Sequence, residues 1–141
     1  MARLPDTEGK RATRLLIESD DPYGAMADAL AFVDAGFDVV VCGGPATGET
    51  CPALDGQPCP LVTDADVVLN AVSDTKSQAA IADAVRATAT DIPVVVRVAR
   101  RADVDLTPGC LRLSSKASVS AQVAALRRAT KGPATDATDA E

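Results

Sequence analysis

The stretch ADVVLNAV, residues 65–72, decides the fold. Val67, Val68 and Leu69 follow one another with no polar residue between them. A strand that is apolar at consecutive positions buries both faces, as strands do in a parallel sheet covered by helices on each side. Four other runs read the same way: RLLIE (14–18), FDVVVC (37–42), IPVVVRV (92–98) and the shorter CLRLS (110–114). Amphipathic segments separate them. Asp21 and Pro22 supply a capping acid and a proline at a first helical position. The helix that follows carries Tyr23, Met26, Leu30 and Val33 at three- and four-residue spacing, and Gly36 ends it. Ser73 or Asp74 caps a helix with Ile81, Ala84 and Val85 on one face. A last helix from about Ser118 presents Val119, Val123 and Leu126 and ends in Arg127, Arg128 and Lys131, near its negative pole.

This alternation predicts an α/β domain over residues 13–131, a doubly wound five-stranded parallel sheet of order 2-1-3-4-5. Two connections depart from a regular plan. Residues 43–64 hold Pro45, Pro52, Pro58 and Pro60, so a Cys/Pro-rich crossover is expected in place of the second helix. ARRADVDLTPG, after the fourth strand, is so short and turn-rich that the fourth helix is expected to be short or absent. Residues 1–12 read as a flexible arm and 132–141 as a disordered acidic tail.

Composition narrows the functions. At 141 residues and 47% hydrophobic, the chain is long enough to bury one core without disulfides or metal. A net charge of −6 opposes nucleic-acid binding, which needs clustered Lys and Arg. No apolar run approaches the length of a membrane span and no signal-peptide core opens the chain, so the expected location is the cytoplasm, with reduced cysteines. Histidine is absent, which removes imidazole acid–base chemistry and His metal ligands.

CGGPATGETCPALDGQPCPLV, residues 42–62, holds three of the four cysteines. A phosphate loop is set aside, because no helix or Lys follows the glycines and Glu49 would repel an anion. The first reading is a stiffened extended crossover, with Cys42 a small core residue and Leu54, Leu61 and Val62 as anchors. The second is a redox switch in which Cys51 and Cys59 close a small loop. The third is a thiolate-bound metal at Cys42, Cys51 and Cys59, whose spacing lacks the close pairs that structural zinc favours. Cys110 opens the fifth strand, at the opposite sheet edge, and is a poor fourth ligand.

In this order, residues 13–130 resemble the receiver domain of bacterial response regulators, whose sheet is flavodoxin-like. The resemblance rests on RLLIESDDP, AGFDVVVC, ADVVLN, IPVVVRVA and LSSKA. It implies phosphoryl transfer to an aspartate at the end of the third strand, Mg²⁺ held by two acids after the first, a hydroxyl residue after the fourth and a lysine after the fifth. The match is partial. Glu18 and Ser19 fall where the acid pair is expected, with Asp20 and Asp21 just beyond, and Lys116 falls on the lysine, followed by Ala117 in place of the usual proline. The third strand ends in Asn70 and Ala71, and Val98 stands where the hydroxyl residue would be. An amide cannot form an acyl phosphate. The resemblance thus implies a degenerate pseudo-receiver, whose pocket comprises Glu18, Ser19, Asp20, Asp21, Asn70, Ala71 and Lys116. A solvated turn with a helix cap is preferred there to Mg²⁺ at Asp20 and Asp21, and Lys116 is placed to pair with the acids.

The expectation is a non-catalytic signalling or scaffold module, not an enzyme and without a cofactor. It acts on a protein partner or by self-association, through the last helix (118–131) and the crossover (43–64), with neither nucleic acid nor membrane involved. A thiol-based redox or metal sensor is the alternative. A small-ligand-binding α/β domain ranks last, because no activated nucleophile is evident.

Overall fold

The computed structural model describes residues 11–43, 51–99 and 109–131. The first ten residues of the expected arm, the tail from 132, the first part of the crossover (44–50) and the connection where a fourth helix would be short or absent (100–108) lie outside the described residues. Strands β1 (Arg14–Glu18), β2 (Asp38–Cys42), β3 (Val67–Asn70), β4 (Val94–Val98) and β5 (Cys110–Ser114) form one sheet. Every pairing is parallel and the order is β2-β1-β3-β4-β5, as the sequence predicts.

Local chemistry sets the helix boundaries. Helix α1 (Pro22–Asp34) starts where the Asp21 carboxylate accepts the Tyr23 N–H at 3.1 Å. The same acceptor role falls to Asp74 for α3 (Thr75–Thr88), from Ser77 N–H at 2.9 Å, and to Ser118 for α4 (Val119–Thr130), from Ala121 N–H at 3.1 Å. Each satisfies a donor that the helix itself leaves unpaired. Gly36 takes φ +101° at the end of α1, where Gly36 N–H reaches Val33 O and Phe37 N–H reaches Phe32 O. That is the left-handed closure that glycine allows at little cost. In the crossover, Pro52 precedes a 3₁₀ turn (Ala53–Asp55) and Pro60 opens α2 (Pro60–Thr63), a single turn. Proline tolerates only first-turn positions, so the segment forms isolated turns where a full helix would otherwise stand.

The core has two layers, one on each sheet face. Leu16, Val68, Val94 and Val96 pack against Ile81, Ala82 and Val85 of α3 and against Ala53 and Val62 of the crossover. Leu15, Ile17, Val67, Leu69 and Val95 pack against Phe32 of α1 and Leu126 of α4. Helix α1 departs from its sequence reading. The face it buries carries Ala25 and Phe32, while Tyr23, Met26, Leu30 and Val33 point to solvent. Alanines let α1 lie close to the sheet, and Phe32 fills the remaining gap edge-to-face with Phe37, ring centroids 6.0 Å apart. Arg127 of α4 lies over the Phe37 ring at 4.3 Å. β2 is an edge strand, and Val40 and Val41 remain exposed.

Candidate functional site

The rim at the carboxyl ends of β1 and β3 gathers most of the residues singled out by sequence. Pairing sets Cys42, Glu18 and Asn70 side by side across β2, β1 and β3. Strand alternation turns Glu18 toward the α3 layer, where it borders a cavity of about 20 Å³ with Ser19, Cys42, Gly43, Cys51, Val72 and Ile81. That volume is about one water. Its Oε1 is buried without a hydrogen-bond partner among the described residues. Burial disfavours the charged form, and the Glu18 carboxyl is pushed up from 4.5 to about 8.

The neighbouring groups are committed to local structure. Ser19 Oγ accepts the Asp21 N–H at 3.0 Å and donates to Asp21 O at 3.2 Å, a turn that folds the hydroxyl back onto its own loop. The Asp20 carboxylate bridges to the loop after β3, accepting from Ser73 N–H and Oγ at 3.0 Å and from Asp74 N–H at 3.3 Å. Partial burial works against its charge, but the hydrogen bonds from Ser73 and Asp74 outweigh it and hold the carboxyl below its ordinary range. The bond to Ser77 does the same for Asp74 at the start of α3. Asp21 is spent on the α1 cap.

The end of β3 is closed by two amides. Fully buried Asn70 donates through Nδ2 to Gln78 O at 3.0 Å, and its Oδ1 accepts Val72 N–H at 3.1 Å. Gln78 of α3 answers through Nε2, donating to Asn70 O at 3.3 Å and to Arg97 O at 2.8 Å. The pair ties β3 and β4 to the first turn of α3 with their side-chain donors occupied. Ala71, next along, is half-buried among the α1–α4 core residues. Lys116 is exposed in the turn after β5, and forms no ion pair with Asp20 or Asp21 among the described residues. The expected contact between lysine and acids is therefore not made: the chain after β5 spends its hydrogen bonds on itself, Lys116 N–H donating to Ser114 Oγ at 3.0 Å.

The cysteines divide between the sheet edges. Cys42, Cys51 and Cys59 are half-buried against the α3 layer, and Cys42 and Cys51 line the same small cavity as Glu18. Cys110 stands at the opposite edge on β5, its thiol pushed up to about 11 by burial, with Arg86 opposing. No disulfide joins any two of the four. A second cavity, of about 220 Å³, lies near the amino ends of β1 and β2, bordered by Arg14, Asp38, Val40, Leu61 and Asp64. None of the candidate pocket residues or cysteines borders it; Leu61, read from sequence as a crossover anchor, does.

No family model matches the chain and no curated protein matches it. Solved structures do. A response regulator receiver protein from Sinorhizobium medicae superposes with TM-score 0.60 at 15% identity, over 85% of this chain and 95% of its own. The receiver domain of a sensor histidine kinase from Pseudomonas aeruginosa, solved with magnesium in its active-site cleft, gives 0.61 at 13%, over 86% and 99%. A Vibrio cholerae chemotaxis protein gives 0.57 at 15%, over 84% and 98%. The chain has the receiver fold of response regulators.

Magnesium seeks near-octahedral oxygen ligation, with one or two carboxylates free to serve it. The rim does not fit that demand. Glu18 faces an apolar pocket, Ser19 is turned away, Asp20 is held by Ser73 and Asp74, and Asp21 caps a helix. Among the described residues, no group of three His, Cys, Asp or Glu side chains is arranged to hold a metal ion.

Sequence reasoning missed two sets of polar residues. Gln78 looks like an ordinary helix-surface residue, yet it is buried as the partner of Asn70. Arg97, the only charge in VVVRV, reaches the α1–α4 side, where it pairs with Asp28 at 2.6 and 3.2 Å and with Gln122 Oε1 at 3.0 Å. A lone cation inside an apolar strand was the available signal, since it must find an acid once buried.

Proposed function

We propose that this chain is a non-catalytic receiver-like module that signals or scaffolds through protein–protein contact, without aspartyl phosphorylation. The observation that carries the reading is the amide closure at the end of β3. A receiver transfers a phosphoryl group to a carboxylate there, whereas this chain offers Asn70 and Ala71, with Asn70 bonded to Val72 and Gln78. Val98, at the end of β4, has no hydroxyl to offer. Glu18, neutral below about pH 8, is a poor partner for a cation. The proposed contact surfaces are the last helix, 118–131, and the crossover, 43–64. Nucleic acid is disfavoured by the net charge of −6. No described helix is long and apolar enough to cross a membrane.

A thiol switch is the second reading, favoured by the cavity that Cys42 and Cys51 share. It would act through a disulfide from Cys51 to Cys59 or to Cys42, the two thiol hydrogens and electrons passing to an oxidant such as a small disulfide or peroxide. One pair of measurements separates the readings. Incubation with acetyl phosphate and Mg²⁺ is expected to leave the mass unchanged, and a phosphoryl group mapped to any Asp would overturn the proposal. A pull-down from the native host lysate should capture the same proteins with and without reductant. Capture that depends on reductant moves the function to the thiols.

A further inference from the structure

The face of α1 that the sheet does not use carries four of the exposed large apolar side chains of the described surface. Tyr23, Met26, Leu30 and Val33 are 88%, 61%, 66% and 54% exposed, and no described residue covers them. Their spacing of three, four and three residues is that of the a and d positions of a two-helix seam. At ~100° per residue, this seam lies roughly 130° around the helix from the buried side of Ala25 and Phe32. Helix α1 thus has two apolar faces, only one of which meets the core. Asp28 is turned away to Arg97, Asp34 borders the seam only at its carboxyl end, and Ala27 flanks it with a side chain small enough for close backbone approach.

We propose that this seam pairs with the α1 of a second copy of the chain, antiparallel, about a two-fold axis level with residue 28. The seam is complementary to itself in that arrangement. Tyr23 meets Val33 of the other copy, and Met26 meets Leu30, so each layer sets a larger side chain against a smaller or matching one. The four side chains present on the order of 500 Å² of apolar surface, the size of a functional patch on a monomer. Fully covered, two such faces bury at most about 1,000 Å², the size expected of a weak association. Helix α4, by contrast, exposes one large apolar residue, Val119.

Sedimentation of the full chain in reductant, from low to high micromolar, tests the pairing. The wild type is expected to shift from monomer to dimer with concentration. Leu30→Glu and Met26→Lys should each weaken association about tenfold or more, since each buries an unpaired charge. Both positions are exposed, so circular dichroism should show each variant folded. The double variant should regain association, because position 26 of one copy faces position 30 of the other. Val119→Glu should change nothing. A wild type that stays monomeric, a double variant no better than the singles, or a Val119→Glu as damaging as Leu30→Glu overturns the inference. It rests on the protein-contact reading but fails separately: a chain that captures partners yet sediments as a monomer keeps that reading and loses this one.

Discussion

Replacing Glu18 by Gln isolates a single titration. The buried Glu18 carboxyl has its pKa raised from 4.5 to about 8, and burial is the cause. An unfolded chain releases this proton near the lower value, so between the two the folded state holds a proton that the unfolded state has lost. The associated stability is fully present below about pH 4.5 and is lost as pH rises toward 8. The slope is at most about 1.4 kcal/mol per pH unit, which makes the loss between pH 5 and pH 7 roughly 2–3 kcal/mol. That is a large part of the ~5–15 kcal/mol that holds a small domain together. Glu18→Gln keeps the shape and removes the titration. The unpartnered Oε1 leaves a constant offset in both proteins, which cancels from the slope. Asp20, Asp74 and Asp66, the last accepting from Arg11 at 2.9 Å and from the Arg14 N–H at 2.8 Å, all have lowered values and titrate in the opposite sense: their stability is present above the ordinary carboxylate value and lost as pH falls below about 4, outside the window. The chain has no Trp, so urea unfolding is best followed by circular dichroism, in steps from pH 5 to pH 8. The wild-type midpoint should fall as pH rises while that of Glu18→Gln stays flat. Parallel curves for the two proteins would refute the buried neutral acid.

Two further outcomes follow from other sites. Arg97→Ala strands a half-buried Asp28 and should cost about 2–3 kcal/mol in urea unfolding, whereas Arg97→Met combined with Asp28→Leu should recover most of that loss. Strict additivity of the two single effects would argue against a coupled pair. Gly36→Ala forces a side chain into φ +101° within 3.3 Å of Arg127 and should cost about 1 kcal/mol or more, read as a lowered Tm with α1 otherwise intact.

The rim keeps the layout of the receiver fold. Parallel strands still end together, and the loops after β1 and β3 still meet through Asp20, Ser73 and Asp74. The polar residues at this rim are committed to local hydrogen bonds. Asn70 and Gln78 bind each other's backbone, and Asp21 and Asp74 serve helix starts. This network of amide and backbone hydrogen bonds ties the carboxyl ends of β3 and β4 to the start of α3.

The sequence by itself determined the elements and their order. Unbroken apolar runs specify strands buried on both faces, and Asp21, Asp74, Ser118 and Gly36 mark helix ends through local hydrogen bonds that need no distant partner. The replacement of the Asp expected at the end of β3 was equally legible, because it is a matter of residue type. What only the tertiary structure decided was the direction of side chains that had more than one place to go. The stripe from Tyr23 to Val33 has the period of a buried face, yet a quieter set, Ala25 and Phe32, met the sheet, because small residues allow the closer approach. Periodicity reports that a helix is amphipathic and is silent about which of two apolar faces wins. Glu18 read as one acid among several in a solvated turn. Its removal from water depends on Cys51, Val72 and Ile81 arriving from elements far along the chain, and a carboxyl's charge is set by its surroundings in space.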